Sequence, residues 1–143
     1  MHKLCNYFYN NESKALTFGF SLAFLIRLTL FIFYPDQKFP DSISYEDLGK
    51  RFFSNYTYDS DIHMPLYSFL SYLMGGRVNL IFFDIFLSSL TSIYVYKISK
   101  IIFSSNSAIL AFFIYIFYPY SIFYSLSGLT ETIYVFLIIF SFY

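Results

Sequence analysis

Tryptophan is absent and cysteine occurs once, as Cys5, in 143 residues, so no intramolecular disulfide can staple this chain. Cys5 has only His2 close to it, too few ligands for a structural metal, which with the lack of a second Cys removes redox and structural-metal readings. Charge is scarce too. Asp, Glu, Lys and Arg make up 13% of the residues and cancel to a net charge of zero, leaving neither a basic field for nucleic acid nor an acidic tail. Glycine is limited to five residues beside abundant Phe, Tyr, Ile, Asn, Ser and Lys, a bias of AT-rich coding rather than of function. No internal repeat, low-complexity linker or soluble second domain is visible, so residues 1–143 read as one membrane domain. What fills the chain is apolar: 57% hydrophobic, 26% aromatic, mean hydropathy +0.56. A water-soluble fold does not have that balance.

A bilayer core about 30 Å thick takes roughly 20 helical residues, and the sequence supplies such runs in order. The first, residues 15–34, carries one charge, Arg27, near its middle, and its length without a small-residue cleavage site predicts an uncleaved signal anchor. The second, 78–98, contains Asp84 and ends at Lys97 and Lys100. The third, 108–124, contains Pro119, which removes a backbone donor and predicts a kink or a stop. A fourth begins near Leu129, carries Glu131 and reaches Tyr143 after about 15 residues, about 22 Å of helix. The expected fold is all-α and polytopic, with about four transmembrane helices, the last truncated as in a fragment. Lys3, Lys14, Lys97 and Lys100 on one side balance Lys38, Lys50, Arg51 and Arg77 on the other, so the positive-inside count ties. The acids interleaved with the second set tip the reading toward a cytoplasmic N-terminus and an outward first loop.

That loop is a polar island, residues 35–65, and it holds the chemistry. Its 39–55 stretch predicts a short amphipathic helix resting on the bilayer surface, with Tyr45, Leu48, Gly49 and Phe52 on one face and Glu46, Asp47, Lys50 and Arg51 on the other. Asp41, after Pro40, suits its N-cap and stands at the membrane boundary. Pro65 predicts the first turn of a further short helix.

Pro40-Asp41-Ser42, Tyr45, Leu48-Gly49 and then His63-Met64-Pro65-Leu66-Tyr67 resemble the first extracytoplasmic loop of the polyprenyl-phosphate-dependent glycosyltransferases of the protein O-mannosyltransferase and aminoarabinose transferase type. Their usual form is Pro-Asp-Glu-x-x-Tyr followed by Lys-Pro-Pro-Leu-x-Tyr. Tyr118-Pro119, Tyr124-Ser125 and Leu129-Thr130-Glu131 are similar to that family's later Pro, Tyr-Ser, Leu-Thr-Glu pattern. The resemblance spans residues 27–143 and implies the N-terminal part of a GT-C glycosyltransferase in a bacterial plasma membrane. It implies sugar transfer from a polyprenyl-phosphate donor to an acceptor outside the cytoplasm, with inversion and with no cofactor. Asp41 matches the base that takes the acceptor proton. An N-cap carboxylate is stabilised as the anion, so such a base depends on positioning. Ser42 stands where family members often place a second acid, and His63 where they place a lysine for the leaving phosphate. Arg27, Tyr45 and Glu131 complete the expected substrate contacts.

Simpler roles stand beside these. Asp41 can serve as a helix cap alone, and Arg27 can pair across helices with Asp84 or Glu131. Glu131 can favour its helix terminus. A small non-enzymatic membrane protein, or a transporter segment with Arg27, Asp84 and Glu131 along its pathway, is the alternative function.

Overall fold

The computed structural model describes residues 11–35, 39–55 and 65–143. Those residues form seven helices and no strand. Helix α1 (Glu12–Phe33) and helix α4 (Arg77–Ile102) are long and apolar enough to cross a membrane. At 1.5 Å per residue they measure about 33 and 39 Å. Helices α5 (Ser105–Phe117) and α6 (Pro119–Ser127) meet at a 46° bend and count as a third candidate span if taken together. Helix α7 (Glu131–Ser141) is apolar but, at 11 residues, shorter than a span. Among the described residues two helices, or three with the bent pair taken as one, are thus long and apolar enough to span, and α7 is the short apolar helix at the place of the expected fourth.

Side-chain contacts give the directions. Lys100 Nζ meets Glu12 Oε2 at 2.6 Å, joining the end of α4 to the start of α1, so the two helices are antiparallel. Ser104 turns the chain into α5, its hydroxyl accepting from the Ser107 amide at 3.3 Å. Ile133 packs with Leu80 and Leu87, while Phe140 lies against Tyr94, so α7 runs alongside α4 in the same direction. One end of the bundle thus carries Glu12, Lys100 and the Ser104 turn. The other carries the ends of α1 and α6 and the starts of α4 and α7; we term it the loop end.

Helix α1 buries Ala15, Gly19, Ala23, Arg27 and Phe31, one residue every four. The small members of this stripe let backbones approach, the main source of helix association where lipid and side chain are equally apolar. The closest approach is at Gly19. A Cβ there would lie 2.2 Å from the Phe112 ring of α5. Along α4, Ser89, Thr91 and Ser92 are buried and return their hydroxyls to the helix's own carbonyls at 2.6–2.8 Å. The outward surface is a belt of exposed Phe, Leu and Ile, as suits contact with lipid.

The loop end is covered by a helical hairpin of α2 (Pro40–Asn55) and α3 (Pro65–Leu73). Both begin on proline, whose missing N–H costs nothing in a first turn. Helix α2 has the expected two faces, with Tyr45, Leu48 and Gly49 buried and Asp47, Lys50 and Arg51 exposed. Its apolar face, however, packs on α3 rather than lying free for lipid, since a Cβ at Gly49 would come within 2.3 Å of the Ser68 carbonyl. Two glycines with positive φ, Gly75 and Gly76, then turn α3 into α4.

Candidate functional site

Two polar groupings lie buried toward the loop end. The first is built around Arg27. Its Nε donates to Ser88 Oγ at 3.0 Å, its Nη1 to the carbonyls of Ala23 and Ile116 at 3.1 and 3.4 Å, and its Nη2 to Ser121 Oγ at 3.0 Å. The bend explains why acceptors are available. Pro119 has no N–H to give to the Tyr115 carbonyl four residues back, and the interruption at Tyr118 opens the last carbonyls of α5. Ser121 Oγ donates to the Tyr115 and Tyr118 carbonyls at 3.1 and 2.9 Å, and Arg27 takes Ile116. The guanidinium is 0% exposed. None of these four bonds goes to a carboxylate, so backbone and serine oxygens hold the charge rather than the Asp84 or Glu131 pairing weighed above.

The second grouping is acidic. Tyr67 of α3 donates its phenol to Asp84 Oδ2 at 2.6 Å and packs edge-to-face on Tyr45 at 5.0 Å. Burial first, then the neighbouring Asp84, pushes the Tyr67 phenol up, so it remains a donor. Three oxygens here have no hydrogen-bond partner although they are shut from solvent: Asp84 Oδ1, Glu131 Oε2 and Thr132 Oγ1. Asp84 sits in α4, the other two in the first turn of α7.

A cavity of about 380 Å³ lies between these groupings. Ser88 and Ser121, the hydroxyls that hold Arg27, form one wall. Tyr115, Tyr118, Tyr120 and Tyr124 form another, along the bent pair α5–α6. Glu131 and Thr132 close it.

Asp41 is exposed in the first turn of α2. It is not the cap: Pro40 is already helical, and Ser42 plays the capping part by accepting from the Phe39 amide at 3.2 Å and donating to the Phe39 carbonyl at 2.8 Å. Phe39 stacks edge-to-face on Phe123 at 5.5 Å, which pins the start of α2 to α6. Tyr45, one turn on, is turned into the core. His63 lies outside the described residues. On the outer face of α2, Lys50 pairs with Glu46 at 2.8 Å and Arg51 with Asp47 at 2.7 Å. The Glu46 hydrogen bond raises the Lys50 ammonium above its ordinary range.

Sequence reading named Arg27 and Glu131 but missed Ser88, Ser121 and Thr132. Serine and threonine in an apolar run carry no signal of their own, although Ser121 follows Pro119 by two residues, where freed carbonyls must find donors. Among the described residues no group of three or more His, Cys, Asp or Glu side chains could hold a metal ion. Compared with protein-family models, curated proteins and solved structures, the chain matches none.

Proposed function

We propose that this chain belongs to the membrane-embedded machinery of a polyprenyl-phosphate-dependent glycosyltransferase, acting on the extracytoplasmic side of a bacterial plasma membrane. One observation carries the reading. The residues that bear the family resemblance in the second half of the chain, Tyr118, Tyr124 and Glu131, all line one cavity. Apolar walls with a few convergent polar groups are the usual form of a small-molecule site. This one lies in an apolar bundle, where a lipid-linked donor can reach it from the side.

In this reading Asp41 takes the proton of the acceptor hydroxyl as that oxygen attacks the anomeric carbon, and the sugar–phosphate bond breaks with its electron pair leaving on the polyprenyl phosphate. Exposure suits a base that must meet an acceptor from the aqueous side. Glu131, which lines the cavity and is only partly buried, offers its carboxylate to sugar hydroxyls. Arg27 fixes the bend of α5–α6 and so the shape of the wall, acting as a positioning residue instead of a direct phosphate ligand. The reading places the N-terminus in the cytoplasm and the α2–α3 hairpin outside.

A sugar-transfer assay on the chain in proteoliposomes, with polyprenyl-phosphate sugar donors, tests this. Asp41→Asn is expected to lower turnover by about 10²- to 10⁴-fold, the usual contribution of a positioned base, with membrane insertion unchanged. Equal turnover in the variant would remove Asp41 from the mechanism, and absence of any transfer by the parent chain would count against the proposal.

A further inference from the structure

Helix α3 is inside out for a helix that meets water. None of its nine residues is charged. Ser68 and Ser71 are buried together with Tyr67, whereas Leu66, Phe69, Tyr72 and Leu73 are 39–58% exposed. These four recur at steps of three and four residues, so they form one apolar stripe along the helix. Scattered apolar side chains on a surface need no explanation, but a contiguous stripe with serines on the inner side marks a face that meets something other than water.

The register of α3 against the bundle shows what that is. Asn79 of α4 donates its side-chain amide to the Met74 carbonyl, just past the end of α3, at 2.7 Å, while Tyr67 near the start of α3 reaches Asp84. Helix α3 therefore runs back along α4, and its beginning lies beside Asp84, seven residues or about 10 Å into that helix. When α4 is centred on a hydrocarbon core about 30 Å thick, about 4 Å of it projects at each end, so a point about 10 Å along it is below the lipid surface. Helix α7 gives a second mark. Leu66 and Tyr67 share a cavity of about 120 Å³ with Thr130, Ile133, Tyr134 and Leu137, none of them charged. Tyr134 and Leu137 belong to the outward apolar belt, so the stripe of α3 continues a surface that already faces lipid. The charged pairs of the hairpin, Lys50 with Glu46 and Arg51 with Asp47, are all on α2.

We infer that α3 dips into the leaflet at the loop end, with Leu66, Phe69 and Leu73 against lipid acyl chains and the charged face of α2 left in water. The inference depends on α4 crossing the bilayer and on nothing about sugar transfer. The chain has no tryptophan, so a single introduced one reports its own surroundings. Leu66→Trp, Phe69→Trp, Leu73→Trp and Lys50→Trp are made singly in the full chain and placed in vesicles of phosphatidylcholine, or of the same lipid brominated midway along its acyl chains. Brominated lipid is expected to at least halve the emission of Leu66→Trp and Phe69→Trp, to act less on Leu73→Trp, which lies nearer the Gly75 turn, and to leave Lys50→Trp unchanged. Iodide on both faces of the vesicle is expected to act in the opposite order. A variant that loses the helical circular dichroism of the parent is replaced by Tyr72→Trp, which should match Leu73→Trp. Iodide quenching of Leu66→Trp and Phe69→Trp as strong as that of Lys50→Trp overturns the inference. So does protection of both from iodide and brominated lipid alike, the result expected under a second copy of the chain. Equal lipid quenching of Leu66→Trp and Leu73→Trp, as in a helix lying flat on the surface, overturns it too. The expected pattern without any sugar transfer would contradict the transferase reading and leave this one standing.

Discussion

Tyr67 and Asp84 make the one buried side-chain bond described between the α2–α3 hairpin and the bundle, and it is of the charge-capable kind that apolar surroundings strengthen. Removing the donor alone leaves both Asp84 oxygens unpaired, since Oδ1 already has no partner. Tyr67→Phe is therefore expected to cost about 1–3 kcal/mol, seen as a lower Tm in detergent, while Tyr67→Phe combined with Asp84→Leu should recover most of the loss. If the double variant is no more stable than Tyr67→Phe alone, the bond is not what ties the hairpin down. Arg27 shows the other way of keeping a charge in an apolar run. Its fork is matched to the Ile116 carbonyl at the proline break, the Ala23 carbonyl of its own helix and two serine hydroxyls, so the cation is held without an acid.

At the scale of helices, the α1–α5 contact depends on a missing side chain. The Phe112 ring occupies the space a Cβ would need at Gly19. Gly19→Ala is expected to overpack this contact by about 1–3 kcal/mol, and Phe112→Leu in the same chain should return part of it. Thermal unfolding of the two single variants and the double variant reads the coupling, and strict additivity would show that the residues do not meet. Much of the element order was legible beforehand. Hydropathy located α1 and α4 within a few residues, Pro119 announced the bend, and Pro65 marked the start of α3, while α2 begins at Pro40, two residues before the start that an Asp41 cap implied. Period-3.6 spacing also separated the two faces of α2. What that spacing could not say was what covers the apolar face, and α3 covers it where lipid was expected. The Ala15, Gly19, Ala23 stripe was in plain view at four-residue intervals but passed unread, because hydropathy weighs small residues by polarity and not by the approach they permit.

For the whole molecule, the site was partly readable because its acids and its one buried cation stand out in an apolar chain. Its closure was not. The convergence of Ser88, Ser121 and Thr132 on one cavity depends on how three helices are set side by side, and single-residue chemistry carries no information about that. The charge balance at the other end also changes with the fold, since Glu12 meets Lys100 and offsets a cation that the positive-inside count had taken whole. An antiparallel α1–α4 pair nevertheless demands that the loop end and the Ser104 turn lie far apart along the bundle, about the length of a span.

That separation is what the functional reading stands on, and site-directed labelling in intact cells measures it directly. With Cys5 replaced by serine, single cysteines at Asp47 and at Asn106 are each treated with a membrane-impermeant thiol reagent before and after permeabilisation. The account predicts that Asp47→Cys reacts from outside in intact cells and that Asn106→Cys reacts only once the membrane is opened. Reaction of both positions from the same side, or protection of Asp47→Cys until permeabilisation, would contradict it.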